Sequence, residues 1–131
     1  MSKRLLVASD IHGHGKSLSH LLKAAHYDDS KDQLVLIGDY VNNGPDSIGT
    51  LKLIKQLVKN GAIALVGNHE LRWLERTDKR ATEWHHFINQ LPYYKVIDQY
   101  IFVHAGIDTS KSMRKQSRAV VTGHTPGNCL L

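Results

Sequence analysis

Short apolar runs recur along the chain, and each ends on a residue that can ligate a metal or move a proton. Leu5-Leu6-Val7-Ala8 leads into Ser9-Asp10-Ile11-His12, and Leu34-Val35-Leu36-Ile37 into Gly38-Asp39. Ile63-Ala64-Leu65-Val66 leads into Gly67-Asn68-His69, Ile101-Phe102-Val103 into His104, and Ala119-Val120-Val121 into Thr122-Gly123-His124. Runs of this length, closed by glycine or a polar turn, read as buried strands. They predict strands over 3–8, 33–37, 62–66, 100–103 and 119–122. A further strand over 93–97 would form a hairpin with 100–103 through the Asp98-Gln99 turn.

Between the runs the period changes to that of a helix. Leu18, Leu21, Leu22 and Ala25 share one helical face over 17–27. Pro45 and Asp46 look like a helix start, Ile48, Leu51, Ile54, Leu57 and Val58 mark its buried side, and Gly61 closes it. Helix is also expected over 70–75 and 81–90, where Trp73, Leu74, Trp84, Phe87 and Ile88 are the apolar members and Pro92 is the stop. The order β-α-β-α-β through the first half predicts an α/β fold. With 131 residues and no linker or repeat, the expected organisation is a single domain over 1–131.

In open α/β sheets ligands gather at the carboxyl ends of strands. Asp10, His12, Asp39, Asn68, His104 and His124 would collect there two carboxylates, three imidazoles and an amide oxygen. That mixture suits two divalent ions of the borderline class, with Mn the expected ion and Fe, Zn and Ni the alternatives. Asp39 is the natural candidate for a ligand shared by both. Such a pair of ions clamps a phosphate and activates a hydroxide for in-line attack on phosphorus.

Composition narrows the setting. Seventeen Lys and Arg against twelve Asp and Glu give a net charge of +5, which suits an anionic substrate. No basic run is dense enough for a nucleic-acid arm. One cysteine, Cys129, permits no internal disulfide, and Asp10 interrupts the first apolar run too early for a leader or membrane span. The expected location is the cytoplasm, without membrane partners.

Ser9-Asp10-Ile11-His12-Gly13, Gly38-Asp39-Tyr40-Val41, Gly67-Asn68-His69-Glu70, His104-Ala105-Gly106 and Gly123-His124 resemble, in order, the signature blocks of the calcineurin-like metallophosphoesterases. The branch most similar is that of the phosphoprotein phosphatases, with the bacterial Ser/Thr phosphatases and symmetrical diadenosine tetraphosphate hydrolases. The resemblance implies an αββα sandwich, with Asp10, His12 and Asp39 at one metal. Asp39, Asn68, His104 and His124 would hold the other, and His69 would be the general acid. The family usually has Val-Asp-Arg-Gly where this chain has Val41-Asn42-Asn43-Gly44. The Asp at the place of Asn42 pairs with the catalytic His, and the Arg at the place of Asn43 grips phosphate. The interval from His104 to His124 is short for the family and the domain looks shortened at its C-terminal end. We expect further chain there, because 118 leads directly into a sheet edge with too little sequence to cross over.

The resulting expectation is a dinuclear-metal phosphoester hydrolase with Asp39 and His69 as catalytic residues. Asn42, Asn43, Arg114 and Arg118 are the candidates for substrate contact. Its first substrate class is a phosphoprotein, as for Ser/Thr phosphatases; the alternatives are a dinucleoside tetraphosphate or a small phosphoester. A metal-bound, catalytically weak protein that binds phosphorylated ligands is the reading outside enzymology, prompted by the uncharged Asn42 and Asn43. Gly15-Lys16-Ser17 at a helix start suggests a P-loop, but Asp10 stands where that loop needs its first glycine. Cys129 has too little chain after it to build a cysteine-phosphatase loop.

Overall fold

The computed structural model describes residues 3–116 and 121–122. Its centre is β2 (Asp32–Leu36), flanked in parallel by β1 (Arg4–Ala8) and β3 (Ile63–Ala64) in the order β1-β2-β3. Val35 and Leu36 point to opposite faces, and both are completely buried. A strand covered on both faces needs an unbroken apolar sequence, which 34–37 supplies. The crossovers are α1 (Gly15–Ala24) and α2 (Ser47–Lys59), which pack on each other. Leu18 of α1 and Leu51 and Ile54 of α2 enter the core with Leu34, Leu36 and Ala64.

Register decides what happens next. Ala8 pairs with Leu36, and Leu36 with Ala64. The three strands therefore finish at one level, and the loops carrying Asp10, Asp39 and Asn68 leave the same edge of the sheet.

Beyond it come α3 (Asn68–Leu74), α4 (Lys79–Thr82), α5 (His85–Gln90) and an antiparallel hairpin of β4 (Tyr94–Ile97) and β5 (Tyr100–Val103). Among the described residues no helix is long and apolar enough to cross a membrane.

Several boundaries differ from the periodicity reading. Helix α1 is displaced towards its N-terminus and stops where His26 takes φ +53°; Leu21 on its outer side is exposed. The expected helix over 81–90 is two pieces. The Trp84 N–H turns back to the Ala81 carbonyl, three residues away, and that tighter turn carries the indole into the core. Helix α2 begins as expected, with Asp46 capping the Gly49 N–H at 2.8 Å. Residues 121 and 122 are helical, not extended. Their described backbone tie to the preceding strand region is the Ala105 N–H to the Val121 carbonyl, 3.0 Å, which is one bond rather than a ladder.

Candidate metal centre

The first two loops at the sheet edge are locked to each other by backbone. The Asp10 N–H donates to the Gly38 carbonyl (3.1 Å), His12 to Asp39 (2.9 Å) and Gly13 to Tyr40 (2.7 Å). These loops hold Asp10 at φ +55°, His12 at +42° and Asp39 at +60°, left-handed conformations that cost energy unless the surroundings fix them. Gly38, at φ +89°, allows the loops to close: a Cβ there would stand 2.8 Å from the Gly67 backbone and from His104 Nδ1.

A buried carboxylate completes the lock. Glu70 is fully enclosed; its Oε1 accepts from the Asp39 N–H (2.7 Å) and the Gly67 N–H (2.9 Å), and its Oε2 from Tyr40 (2.7 Å) and Val41 (3.3 Å). Burial and the neighbouring Asp39 charge push its pKa up to about 7, while those N–H groups pull it down. Every proton facing Glu70 comes from the backbone, which is the environment of an ionised acceptor. Tyr40, beside it, donates its hydroxyl proton to a backbone carbonyl, with Leu65 O at 2.6 Å and Leu36 O at 3.0 Å.

Asp39 is at the middle of the resulting cluster. Its Oδ2 lies 3.1 Å from His104 Nε2 and 3.7 Å from His12 Nε2; Asp10 Oδ1 is 3.6 Å from the same His12 nitrogen. Two ligand trios are compact enough for a cation, His12 with Asp39 and His69, and Asp10 with Asp39 and His104. Asp39 belongs to both. His12 Nδ1 meets the Val41 carbonyl at 2.9 Å and His104 Nδ1 the Ile37 carbonyl at 2.7 Å. A carbonyl can only accept, so both rings donate from Nδ1 and direct Nε2 at the carboxylates, as ligating histidines do.

Asn68 sharpens the case. Its side-chain oxygen stands 3.0 Å from His104 Nε2, and the same position is 3.1 Å from both Asp39 oxygens. Turning the amide over would let its NH2 donate to the two Asp39 oxygens. A cation among these atoms favours the oxygen inwards, because it supplies the positive charge that their lone pairs share. Without a cation, His104 does so. Burial lowers its pKa, but the bond to Asp39 and the Ile37 carbonyl outweigh that and raise it to about 9. Asp39 is pushed up by burial and pulled further down by His104 and the His69 N–H, ending below the usual carboxylate range. Metal entry would displace the His104 Nε2 proton.

His69 is held by a chain of hydrogen bonds. The Trp73 Nε1–H donates to Asn42 Oδ1 (3.0 Å), and Asn42 Nδ2 lies 3.1 Å from His69 Nδ1. Indole is a donor only, so it fixes the Asn42 amide and leaves Nδ2 to donate. His69 Nδ1 is therefore an acceptor, and the neutral ring carries its proton on Nε2. Burial first, and then the Arg72 charge among others, lower the His69 pKa against the pull of Asp39. The ring stands edge-on to His12, centroids 4.8 Å apart.

The structure thus brings Asp10, His12, Asp39, Asn68, His69 and His104 together with Asn42. Asn43, at φ +64°, is exposed, and Arg114 is exposed on a 3-10 turn (Met113–Lys115) with no described contact to the cluster. His124 and Arg118 lie outside the described residues. Sequence reasoning gave Glu70 no role of its own and read Trp73 first of all as an apolar member of its helix. A glutamate three residues after the N-cap glycine of a helix was the available signal for Glu70, and its bond back to the Gly67 N–H is half of a capping box. Nothing in periodicity marks the Trp73 N–H. A cavity of about 830 Å³ between α2, α5 and β4 shares no residue with the cluster.

Comparison with known proteins agrees with this geometry. A family model described as calcineurin-like phosphoesterase matches residues 3–128. A symmetrical bis(5'-nucleosyl)-tetraphosphatase of Vibrio parahaemolyticus is 29% identical over 140 residues, covering 89% of this chain and 52% of its own. One from Nitrosospira multiformis is 39% identical over 70 residues, 53% of this chain and 25% of its own. A crystal structure of "a putative diadenosine tetraphosphatase" superposes with a TM-score of 0.76 at 28% identity, covering 92% of this chain and 59% of that one. The chain thus spans about half the length or less of these two enzymes.

Proposed function

The chain belongs to the calcineurin-like phosphoesterase family, and from that premise we propose a metal-dependent hydrolase that cleaves a dinucleoside polyphosphate. The observation that carries the proposal is the convergence on Asp39: two trios share its carboxylate, and Nε2 atoms and an amide oxygen face it. The donor set fits divalent ions of the borderline class. Asp10, His12 and Asp39 would hold one, and Asp39, Asn68, His104 and His124 the other. Bound there, two such ions, Mn2+ by our reading, would neutralise phosphoryl charge and generate the nucleophile from water.

The protein's own groups do the rest. Glu70 and the interlocked loops keep Asp39 in a conformation it would not hold alone. The Ile37 and Val41 carbonyls aim the two Nε2 atoms. His69, with Asn42 behind it, presents an Nε2–H from which a leaving oxygen can take a hydrogen bond or a proton.

A phosphoprotein substrate ranks second. The same cage would serve it, but the tetraphosphatase names occur among relatives of greater identity, and the Saccharomyces cerevisiae Ser/Thr phosphatase structure that superposes is 20% identical, a likeness of fold alone. We place the reaction in the cytoplasm on the strength of the single cysteine.

The test is purified protein loaded with Mn2+ and offered diadenosine tetraphosphate, p-nitrophenyl phosphate and a phosphoserine peptide. Preferred turnover of the tetraphosphate is expected. Turnover of the peptide alone would overturn the substrate class, and no turnover of any, with metal bound, would favour a binding protein.

A further inference from the structure

His69 and Trp73 stand four residues apart on α3, on one helical face. Asn42, from the loop after β2, bridges them: its Oδ1 accepts the Trp73 Nε1–H at 3.0 Å, and its Nδ2 lies 3.1 Å from His69 Nδ1. The indole has little freedom to turn. It is 1% exposed, and Arg76 lies over its ring at 4.7 Å, itself held by a fork of two 2.8 Å bonds to Asp78. Asn42 would not choose its orientation alone, since turning the amide over swaps a donor for an acceptor without changing shape. Against the indole N–H the turned amide would set donor against donor. A buried donor left without an acceptor weights such an equilibrium by roughly 5–150-fold.

The place of the His69 proton decides what that ring can do. His69 is close enough to His12 and Asp39 to share a cation with them. Its Nδ1 is engaged by Asn42, so Nε2 is the atom it has to offer. With the proton on Nε2 the ring is a donor; with the proton on Nδ1 it shows a lone pair from Nε2 and becomes a ligand.

We propose that Trp73 is a positioning residue which, through Asn42, keeps the His69 proton on Nε2, so that the ring serves the leaving oxygen rather than a metal. The inference rests on the hydrolase reading above. In that reaction a water oxygen bonds to phosphorus as the P–O bond to the leaving oxygen breaks. The electron pair stays on the leaving oxygen, which accepts a hydrogen bond from the Nε2–H. The water's proton goes to solvent, or to the departing oxygen when that is an alkoxide. The hydrogen bond matters most to a basic leaving oxygen and least to a stable anion such as a nucleoside diphosphate or nitrophenolate. Loss of the indole N–H is therefore felt most with alkyl phosphates.

The experiment uses the full chain with zinc bound and compares wild type, Trp73→Phe and Trp84→Phe. The last takes the same atoms from the same core, at a ring with no described bond to Asn42. Histidine nitrogens are read by NMR at one pH, with His69→Gln for assignment. The wild-type His69 should carry its proton on Nε2 alone. Trp73→Phe should move population to the Nδ1–H form. It should lower kcat for an alkyl phosphate roughly fivefold or more beyond any loss on p-nitrophenyl phosphate, at unchanged zinc content. Trp84→Phe should do neither, whatever stability it loses. Should Trp73→Phe melt early, the one tryptophan left in Trp84→Phe can be exchanged biosynthetically for benzothienylalanine, which keeps the shape of the indole and lacks the N–H; the same changes are expected. A wild-type ring protonated on Nδ1, or an unchanged tautomer and alkyl-to-aryl ratio once the N–H is gone, would overturn the role of Trp73. A zinc-loaded wild type that turns over no phosphate ester would instead overturn the hydrolase reading and the leaving-group role with it, whatever the tautomer.

Discussion

Replacing Glu70 by glutamine removes one atom's worth of acceptor and leaves volume unchanged, which makes it a clean probe of the loop lock. Each carboxylate oxygen serves two backbone N–H groups. A glutamine must point its NH2 at one of those pairs, setting donor against donor. Facing Asp39 and Gly67 it forfeits bonds of 2.7 and 2.9 Å; facing Tyr40 and Val41 it forfeits 2.7 and 3.3 Å, so the second is the lesser loss. A buried N–H left without a partner costs about 1–3 kcal/mol, so the pair costs about 2–6 kcal/mol. A domain of this size holds roughly 5–15 kcal/mol in all. The variant should therefore fold, with urea stability lower by about 2–6 kcal/mol. It should also bind Mn2+ more weakly, because Asp39 at φ +60° depends on that lock. Urea denaturation with and without metal, and a metal titration by calorimetry, measure both effects. Unchanged stability together with unchanged metal affinity would refute the assignment of Glu70 as the lock.

The remaining expectations concern the cluster and the strand start. Elemental analysis should find about two divalent ions per chain, with a larger loss in Asp39→Asn than in Asp10→Asn, because Asp39 serves both trios; equal losses would remove its shared role. Asn42→Asp should let the ring be a double donor, seen as a move of His69 from the Nε2–H tautomer to imidazolium in nitrogen NMR. It should also narrow the rate gap between aryl and alkyl phosphates. A wild-type ring already protonated on Nδ1 would contradict the Trp73–Asn42 chain. Arg4 and the Asp28 N–H hold the Asp32 carboxyl at about 2 instead of 3.8. Its stabilising effect is then present above about 3.8 and lost as pH falls through about 2, so Arg4→Ala should shift acid unfolding to higher pH. Coincident acid transitions in the two proteins would rule that out.

Local pattern was enough to read the class of fold and the chemistry at its strand ends. Apolar runs and helical periods are local signals, and a buried strand ending in Gly38-Asp39 needs only its own residues to be read. The order of the signature blocks added the family. Folding was needed for whatever depends on residues far apart in the chain. The level finish of the strands follows from Ala8 meeting Leu36 and Leu36 meeting Ala64. Glu70 became the lock only because four N–H groups from two loops converge on it, and Trp73 became more than core only because its N–H reaches Asn42, thirty-one positions away. The break at Trp84 likewise escaped the pattern, since burial of one ring outweighed local preference. Hydrogen bonds across such separations are set by register and by left-handed backbone at Asp10, His12 and Asp39, and neither leaves a period in the sequence.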